Sequence, residues 1–166
     1  AVLRGIPSME RVVTVSGDAV AQPSNFKVLF GTNQQELVDA AGGFTSEPEK
    51  IISGGPMMGF SMFTLDTPIT KTTSSILGFK EDIVSKQQTS ACINCGRCVD
   101  ACPIRLIPSR LADHAEHHAE EAFVKLEGLE CIECGSCSYV CPARRQLKQS
   151  IGSMKKIAMA NLRKKK

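Results

Sequence analysis

Two runs of cysteine constrain this chain more than anything else in it. Cys92-Ile-Asn-Cys95-Gly-Arg-Cys98-Val-Asp-Ala-Cys102-Pro103 is answered 39 residues later by Cys131-Ile-Glu-Cys134-Gly-Ser-Cys137-Ser-Tyr-Val-Cys141-Pro142, and all eight cysteines belong to these runs. Over residues 92–105 and 131–144 the two agree at eight of fourteen positions, Arg105 with Arg144 included. Whatever encloses them must present one cysteine pattern twice.

The spacing C-x2-C-x2-C-x3-C-P is that of bacterial ferredoxins, which hold paired [4Fe–4S] clusters and whose fourth cysteine serves the other cluster. Three thiolates at three-residue intervals on one tight loop can reach three iron corners of a cubane. Gly96 and Gly135, each after the second cysteine, let the backbone turn close to the cluster. Pro103 and Pro142 follow the fourth cysteine, give up an N–H and fix φ where a helix can begin. The pattern assigns Cys92, Cys95, Cys98 and Cys141 to one cluster, and Cys131, Cys134, Cys137 and Cys102 to the other. Two other uses of these cysteines compete. Structural zinc sites also use C-x2-C pairs, but they demand neither a third cysteine at the same interval nor a proline after the fourth. Disulfides fit poorly among cysteines so close in tight loops.

Composition narrows the classes further. Hydrophobic residues at 42% and charged residues at 22% are ordinary for a soluble globular protein. Aromatic residues make up 5%, with no Trp, which argues against an aromatic platform for nucleic acid. No apolar run approaches the roughly 18 to 20 residues that span a bilayer, and the first residues lack the basic-then-apolar order of a signal peptide. The chain does not begin with Met, so it reads as part of something longer. Cysteines bound to clusters fit a reducing compartment. The net charge of +3 hides an asymmetry: residues 134–166 carry nine Lys and Arg and no acid, leaving −6 for residues 1–133. Such a tail is ordinarily solvated, its cations complementing a helix dipole. It would equally attract an acidic protein or an anionic lipid surface.

The first half reads as a small α+β unit. Arg11-Val-Val-Thr-Val15, Phe26-Lys-Val-Leu-Phe30 and Lys50-Ile-Ile-Ser53 are β-rich runs closed by glycine-bearing turns. Thr32-Asn-Gln-Gln35 has capping-box spacing before Leu37, Val38, Ala40 and Ala41, and Gly42-Gly43 ends that helix. Two strands, a helix and a third strand suggest a β-grasp, and Ile76 to Phe79 could add a last strand. Residues 60–90 otherwise read as transitional, with Thr64 to Ser75 extended. Gly54, Gly55, Pro56, Met57, Met58 and Gly59 form a possible ligand or docking loop, or a plain turn over packed methionines. They are not a phosphate loop, since no G-x-x-x-x-G-K-[ST] is present.

The expected boundary lies near residue 80, with domain one at 1–80 and domain two at 81–166. In the second, Leu111, Ala115, Ala119, Ala122, Phe123 and Leu126 keep one helical stripe from Pro108 to Gly128. Leu147, Ile151, Met154, Ala158 and Leu162 keep another. A helix between the motifs favours an α-helical ferredoxin arrangement. His114, His117, His118 and Glu121 have spacings that can bind a metal, though a solvated polar stripe is the simpler reading. Arg97, Arg105 and Arg144 adjoin the cysteines as solubilising charges or tuners of the clusters.

This order of features resembles the C subunits of Rnf electron-transport complexes. Arg4-Gly-Ile-Pro7, the strand-rich unit ending in Ile51-Ile-Ser-Gly-Gly-Pro-Met-Met-Gly59, the Thr-rich connector and the twin cysteine motifs carry the resemblance. It implies a soluble-ligand-binding β-grasp domain followed by a ferredoxin domain with two [4Fe–4S] clusters. It also implies that flavin mononucleotide and the NADH site belong to an N-terminal domain that is absent here. The implied role is one-electron transfer within a membrane-bound NAD:ferredoxin oxidoreductase that moves Na+ or H+, with no catalytic side chain in this stretch. Its partners would be the other subunits of the complex, and its place the cytoplasmic face, held there peripherally. An iron–sulfur subunit of a hydrogenase or heterodisulfide reductase would use the same cluster domain without needing the β-grasp unit. A zinc-stabilised binding module is the non-redox alternative.

Overall fold

A computed structural model describes residues 2–3 and 5–164. Arg4 of the Arg4–Pro7 stretch and the terminal Lys165 and Lys166 lie outside the described residues. Contacts divide the chain into two units, residues 1–86 and 87–166.

The first unit is α+β. Its strands are β1 (Glu10–Ser16), β2 (Ser24–Leu29), β3 (Lys50–Ser53), β4 (Phe60–Met62) and β5 (Ser75–Phe79). They form one sheet in the order β2-β1-β5-β3-β4. The first and last strands run parallel at its centre, Val15 opposite Ile76, and every other pairing is antiparallel. Along β1 the alternation is strict: Val13 and Val15 are fully buried while Val12 faces out, as a half-buried strand requires. Helix α1 (Gln34–Ala40) lays Leu37 and Val38 on that inner face with Val13, Val15 and Ile76. This is the mixed sheet with a packed helix expected of a β-grasp.

Three details depart from expectation. The N-cap of α1 is Asn33, whose Oδ1 accepts the Gln35 N–H at 2.9 Å, so the cap sits one residue later than the Thr32 spacing suggests. An Asn side chain reaches the second N–H of the helix directly, without a reciprocal partner. Strand β4 was not foreseen; it is short, lies at the sheet edge and buries almost nothing. The Thr-rich connector is not merely extended, because Leu65 and Ile69 plug into the core.

Residues 81–86, expected in the second unit, pack on the first. Helix α2 (Ile83–Lys86) follows Asp82, whose carboxylate pairs with Lys50 on β3 at 2.9 Å, while Lys86 pairs with Glu49 at 3.0 Å.

The second unit is helical: α3 (Arg97–Asp100), α4 (Pro108–Glu116), α5 (Glu120–Lys125), a 3-10 turn at Gly128–Glu130, α6 (Ser136–Tyr139) and α7 (Leu147–Lys164). Leu111, Ala112 and Ala115 of α4 pack with Phe123 of α5 and with Leu147, Ile151 and Met154 of α7. The single middle helix expected from the apolar stripe is two. His118 turns left-handed at φ 54°, its N–H donates to Ala115 O at 3.2 Å and the Ala119 N–H donates to His114 O at 2.9 Å. That pair of bonds is a Schellman stop, and the stripe resumes on α5 because Phe123 still reaches the same core. His114, His117 and His118 therefore do not line one helical face. Among the described residues no helix is long and apolar enough to cross a membrane.

Candidate iron–sulfur centre

Each cysteine run folds the same way. The residue after the first Cys-Ile is left-handed in both, Asn94 and Glu133 at φ 54°. Gly96 and Gly135 follow at φ 78° and 84° and start the short helices α3 and α6. A Cβ on Gly96 would meet nothing within 4 Å, so the glycine serves this positive φ rather than a close protein neighbour. A third reversal comes at Arg105 and Arg144, φ 58° and 54°, whose N–H groups donate to Cys102 O and Cys141 O at 3.1 and 3.0 Å. The two arginines thus hold a turn rather than simply project as charges. Three reversals per run wrap the loop round a cavity that its first three cysteines line.

Two cavities result. Cys92, Cys95, Cys98 and Cys141 surround one, and Cys102, Cys131, Cys134 and Cys137 surround the other. Each gathers three cysteines from one run and the fourth from the other. All twelve residues lining the first, shifted by 39 in one direction or the other, land on residues lining the second. Ser109 answers to Lys148, Arg145 to Leu106, Asn94 to Glu133. The unit is an internal pseudo-dimer built around two equivalent four-cysteine sites.

All eight thiols are free. Among the described residues no group of three or more Cys, His, Asp or Glu converges where a single metal ion could sit. Four thiols set round a cavity suit a polynuclear group better than a tetrahedral ion, which draws its sulfurs to about 2.3 Å from one point. The first cavity holds about 120 Å³ and the second about 20 Å³. The second is the tighter of the two and is lined by an equivalent set of four cysteines, three from one run and one from the other. The donor set fits two [4Fe–4S] groups.

The electrostatics of the sites differ. Burial pushes the Cys137 thiol up to about 11 and raises that of Cys131, while the Ser136 hydroxyl beside Cys134 lowers its thiol. Buried thiols of this kind stay protonated at neutral pH until a cation displaces the proton. Backbone N–H groups of Leu106 and Glu133 donate to Cys102 Sγ and Cys131 Sγ at 3.3 and 3.4 Å. Such bonds favour the more negative state of a bound cluster. At the first cavity stands Arg145, 12% exposed, bonded to Asp113 and Glu116 at 2.8 and 2.9 Å. Arg145 was not singled out from sequence; its one signal there is that the repeat places Leu106 opposite it.

The loop at 54–59 belongs to the first unit and holds no cysteine. It is a tight reversal between β3 and β4, with the Gly59 N–H donating to Gly55 O at 2.7 Å. Met57 and Met58 are 42% and 61% exposed, so they are not packed beneath the turn. Gly54 lines a cavity of about 210 Å³, where the buried Gln34 Oε1 and Thr67 Oγ1 have no partner.

Family models match in the same order as the units: an SLBB domain over residues 12–61 and a 4Fe-4S dicluster domain over residues 91–144. The C subunit of the proton-translocating ferredoxin:NAD(+) oxidoreductase complex of Clostridium ljungdahlii is 52% identical over 112 residues, 68% of this chain and 24% of that protein. Its Na(+)-translocating counterpart from Acetobacterium woodii is 42% identical over 162 residues, 98% of this chain and 37% of that protein. The C subunit of the ion-translocating oxidoreductase complex of Rhodobacter capsulatus is 42% identical over 119 residues, 72% of this chain and 22% of that protein. This chain is a homologue of the C subunits of Rnf, or ion-translocating oxidoreductase, complexes. It spans between 22% and 37% of the length of these curated relatives.

Proposed function

We propose that the chain is the electron-carrying part of a C subunit in an ion-translocating ferredoxin:NAD+ oxidoreductase, holding two [4Fe–4S] groups. The observation that carries this is the pair of equivalent four-cysteine cavities, each completed by a cysteine from the other run. Cys92, Cys95, Cys98 and Cys141 would hold one group, and Cys131, Cys134, Cys137 and Cys102 the other. When bound, each supplies reversible one-electron chemistry. The chain's own residues do the rest. Leu106, Leu111 and Ile151 exclude water behind the second site, and the two N–H donors to sulfur stabilise added negative charge. The exchange of Cys102 and Cys141 ties the halves together, so neither site forms without the other half in place.

On this reading, flavin mononucleotide and NADH are handled elsewhere in the full-length protein, and the chain sits at the cytoplasmic face of the membrane through its partners. The apolar exposure of Met57, Met58, Phe60 and Phe63 along the β4 edge supports a docking role for residues 54–59. The exposed basic residues of α7, Lys156, Arg163 and Lys164, suit an acidic surface of another protein of the complex; selective retention on anionic vesicles would instead favour a lipid surface.

The test is Cys141→Ser in anaerobically purified protein, read by cluster-resolved EPR and Mössbauer spectra. The proposal requires damage at the site of Cys92, Cys95 and Cys98. Damage confined to the site of Cys131, Cys134 and Cys137 refutes the crossed holding.

A further inference from the structure

The internal repeat lets the surroundings of the two sites be compared position by position, and their charges differ in sign. Around the second site stand Lys148, which lines the cavity, and Lys155, whose Nζ donates to Cys131 O at 2.6 Å. Glu133 is the opposing charge; its carboxylate lies against Gly152, where a Cβ would come within 2.9 Å of Oε2. The equivalent positions near the first site are Ser109 for Lys148, Glu116 for Lys155, Asp113 for Gly152 and Asn94 for Glu133. The one cation there, Arg145, is held by two carboxylates. Among these groups the balance is a surplus of one positive charge at the second site and of one negative at the first; Glu130, next to Cys131 and answered by Ala91, is exposed and screened by water. Arg105 and Arg144 are equivalent and cancel; Arg97 and Asp100, both exposed or partly so, offset each other.

Taking the sites as [4Fe–4S] groups, we infer that Lys155, with Lys148, sets the group of Cys131, Cys134, Cys137 and Cys102 as the higher-potential member of the pair, the one that is reduced first. Reduction adds one electron and no proton, so the reduced form carries one more negative charge and a nearby cation stabilises it. The two N–H groups aimed at Cys102 and Cys131 act in the same direction. Greater burial at this site acts against it, since low exposure penalises added charge. The two lysines oppose that penalty: a unit charge within several ångströms, at an effective dielectric near 20, alters an equilibrium constant by roughly tenfold or more.

The experiment is an EPR-monitored potentiometric titration of the protein purified anaerobically with its clusters in place. Cys95→Ser and Cys134→Ser mark which signal belongs to which site. The cluster marked by Cys134→Ser should be reduced first. Lys155→Gln keeps a donor for Cys131 O without the charge, and should lower the reduced-to-oxidised ratio of that cluster about tenfold at a fixed poise. The other cluster should not move, and Lys155→Arg should titrate as the unaltered protein does. Earlier reduction of the Cys95-marked cluster overturns the inference, as does an unmoved potential in an iron-replete Lys155→Gln variant. If that variant loses iron, Lys148→Ser, which installs the residue found at the equivalent position, decides in the same way. Unaltered protein lacking iron and sulfide would instead remove the reading of the sites themselves.

Discussion

Glu116 and Lys155 occupy equivalent positions 39 residues apart, on α4 and α7, and carry opposite charges: Glu116 bonds Arg145 at 2.9 Å, and Lys155 bonds Cys131 O at 2.6 Å. A duplicated backbone has kept its cysteines and its turns and let its charges diverge. The ion-pair network on one side has no counterpart on the other, where Leu106 stands in place of Arg145 and packs in the core.

Arg145→Leu should therefore destabilise the second unit by about 1–2 kcal/mol. The cost stays modest because Asp113 and Glu116 are 52% and 45% exposed and regain water. Asp113→Ala should cost less, since Glu116 still holds the guanidinium. Thermal unfolding of both variants at low and high salt checks the order, and the gap between them should shrink as salt rises.

Arg105 and Arg144 sit in the left-handed region, where a side chain is strained. Glycine at either position should be neutral or stabilising by up to about 1 kcal/mol, and valine should destabilise by about 1–2 kcal/mol. Denaturant midpoints distinguish this from a purely electrostatic role, for which both substitutions would have the same effect.

Gly128 touches the ring of the fully buried Phe123 closely enough that any Cβ must displace it. Gly128→Ala should cost about 1–3 kcal/mol through that overlap. Gly128→Ala combined with Phe123→Leu should recover part of the loss, which a double-mutant cycle measures.

In the first unit, the Asp82 carboxyl is depressed below its ordinary value of 3.8: burial pushes it up, but the Lys50 ammonium and the Ser85 N–H together pull it further down. A depressed carboxyl contributes stability above its unfolded value and loses it as pH falls through the folded one. The contribution of Asp82 should thus be complete at neutral pH and fade progressively as pH falls below the ordinary value of 3.8 toward the depressed one. Asp82→Asn should lower stability at pH 7 and match the unaltered protein in acid.

Strands β1, β2 and β5 were legible because alternating side chains report a half-buried sheet; Val13 and Val15 go in while Val12 stays out. β3 does not alternate, and its β-branched Ile51-Ile52 ahead of Gly54-Gly55 marks it instead. β4 was not legible, since Phe60 and Ser61 are exposed and no alternation marks an edge so short. The apolar stripe from Leu111 to Leu126 concealed the break at His118, because the break is a backbone event and both halves bury the same face. The cysteine spacing grouped the residues that the fold brings round each cavity. The parts played by Arg145 and Lys155 depend on how α4 and α7 pack across the repeat, and no local pattern reveals that.

Two four-cysteine cavities holding [4Fe–4S] groups fix the metal and sulfide content of the chain. Iron, acid-labile sulfide and zinc per chain, measured on anaerobically purified protein and followed by EPR after dithionite reduction, test it most directly. About eight iron, about eight sulfide and the signals of two interacting reduced clusters are expected. About two zinc per chain with no sulfide would contradict the [4Fe–4S] content.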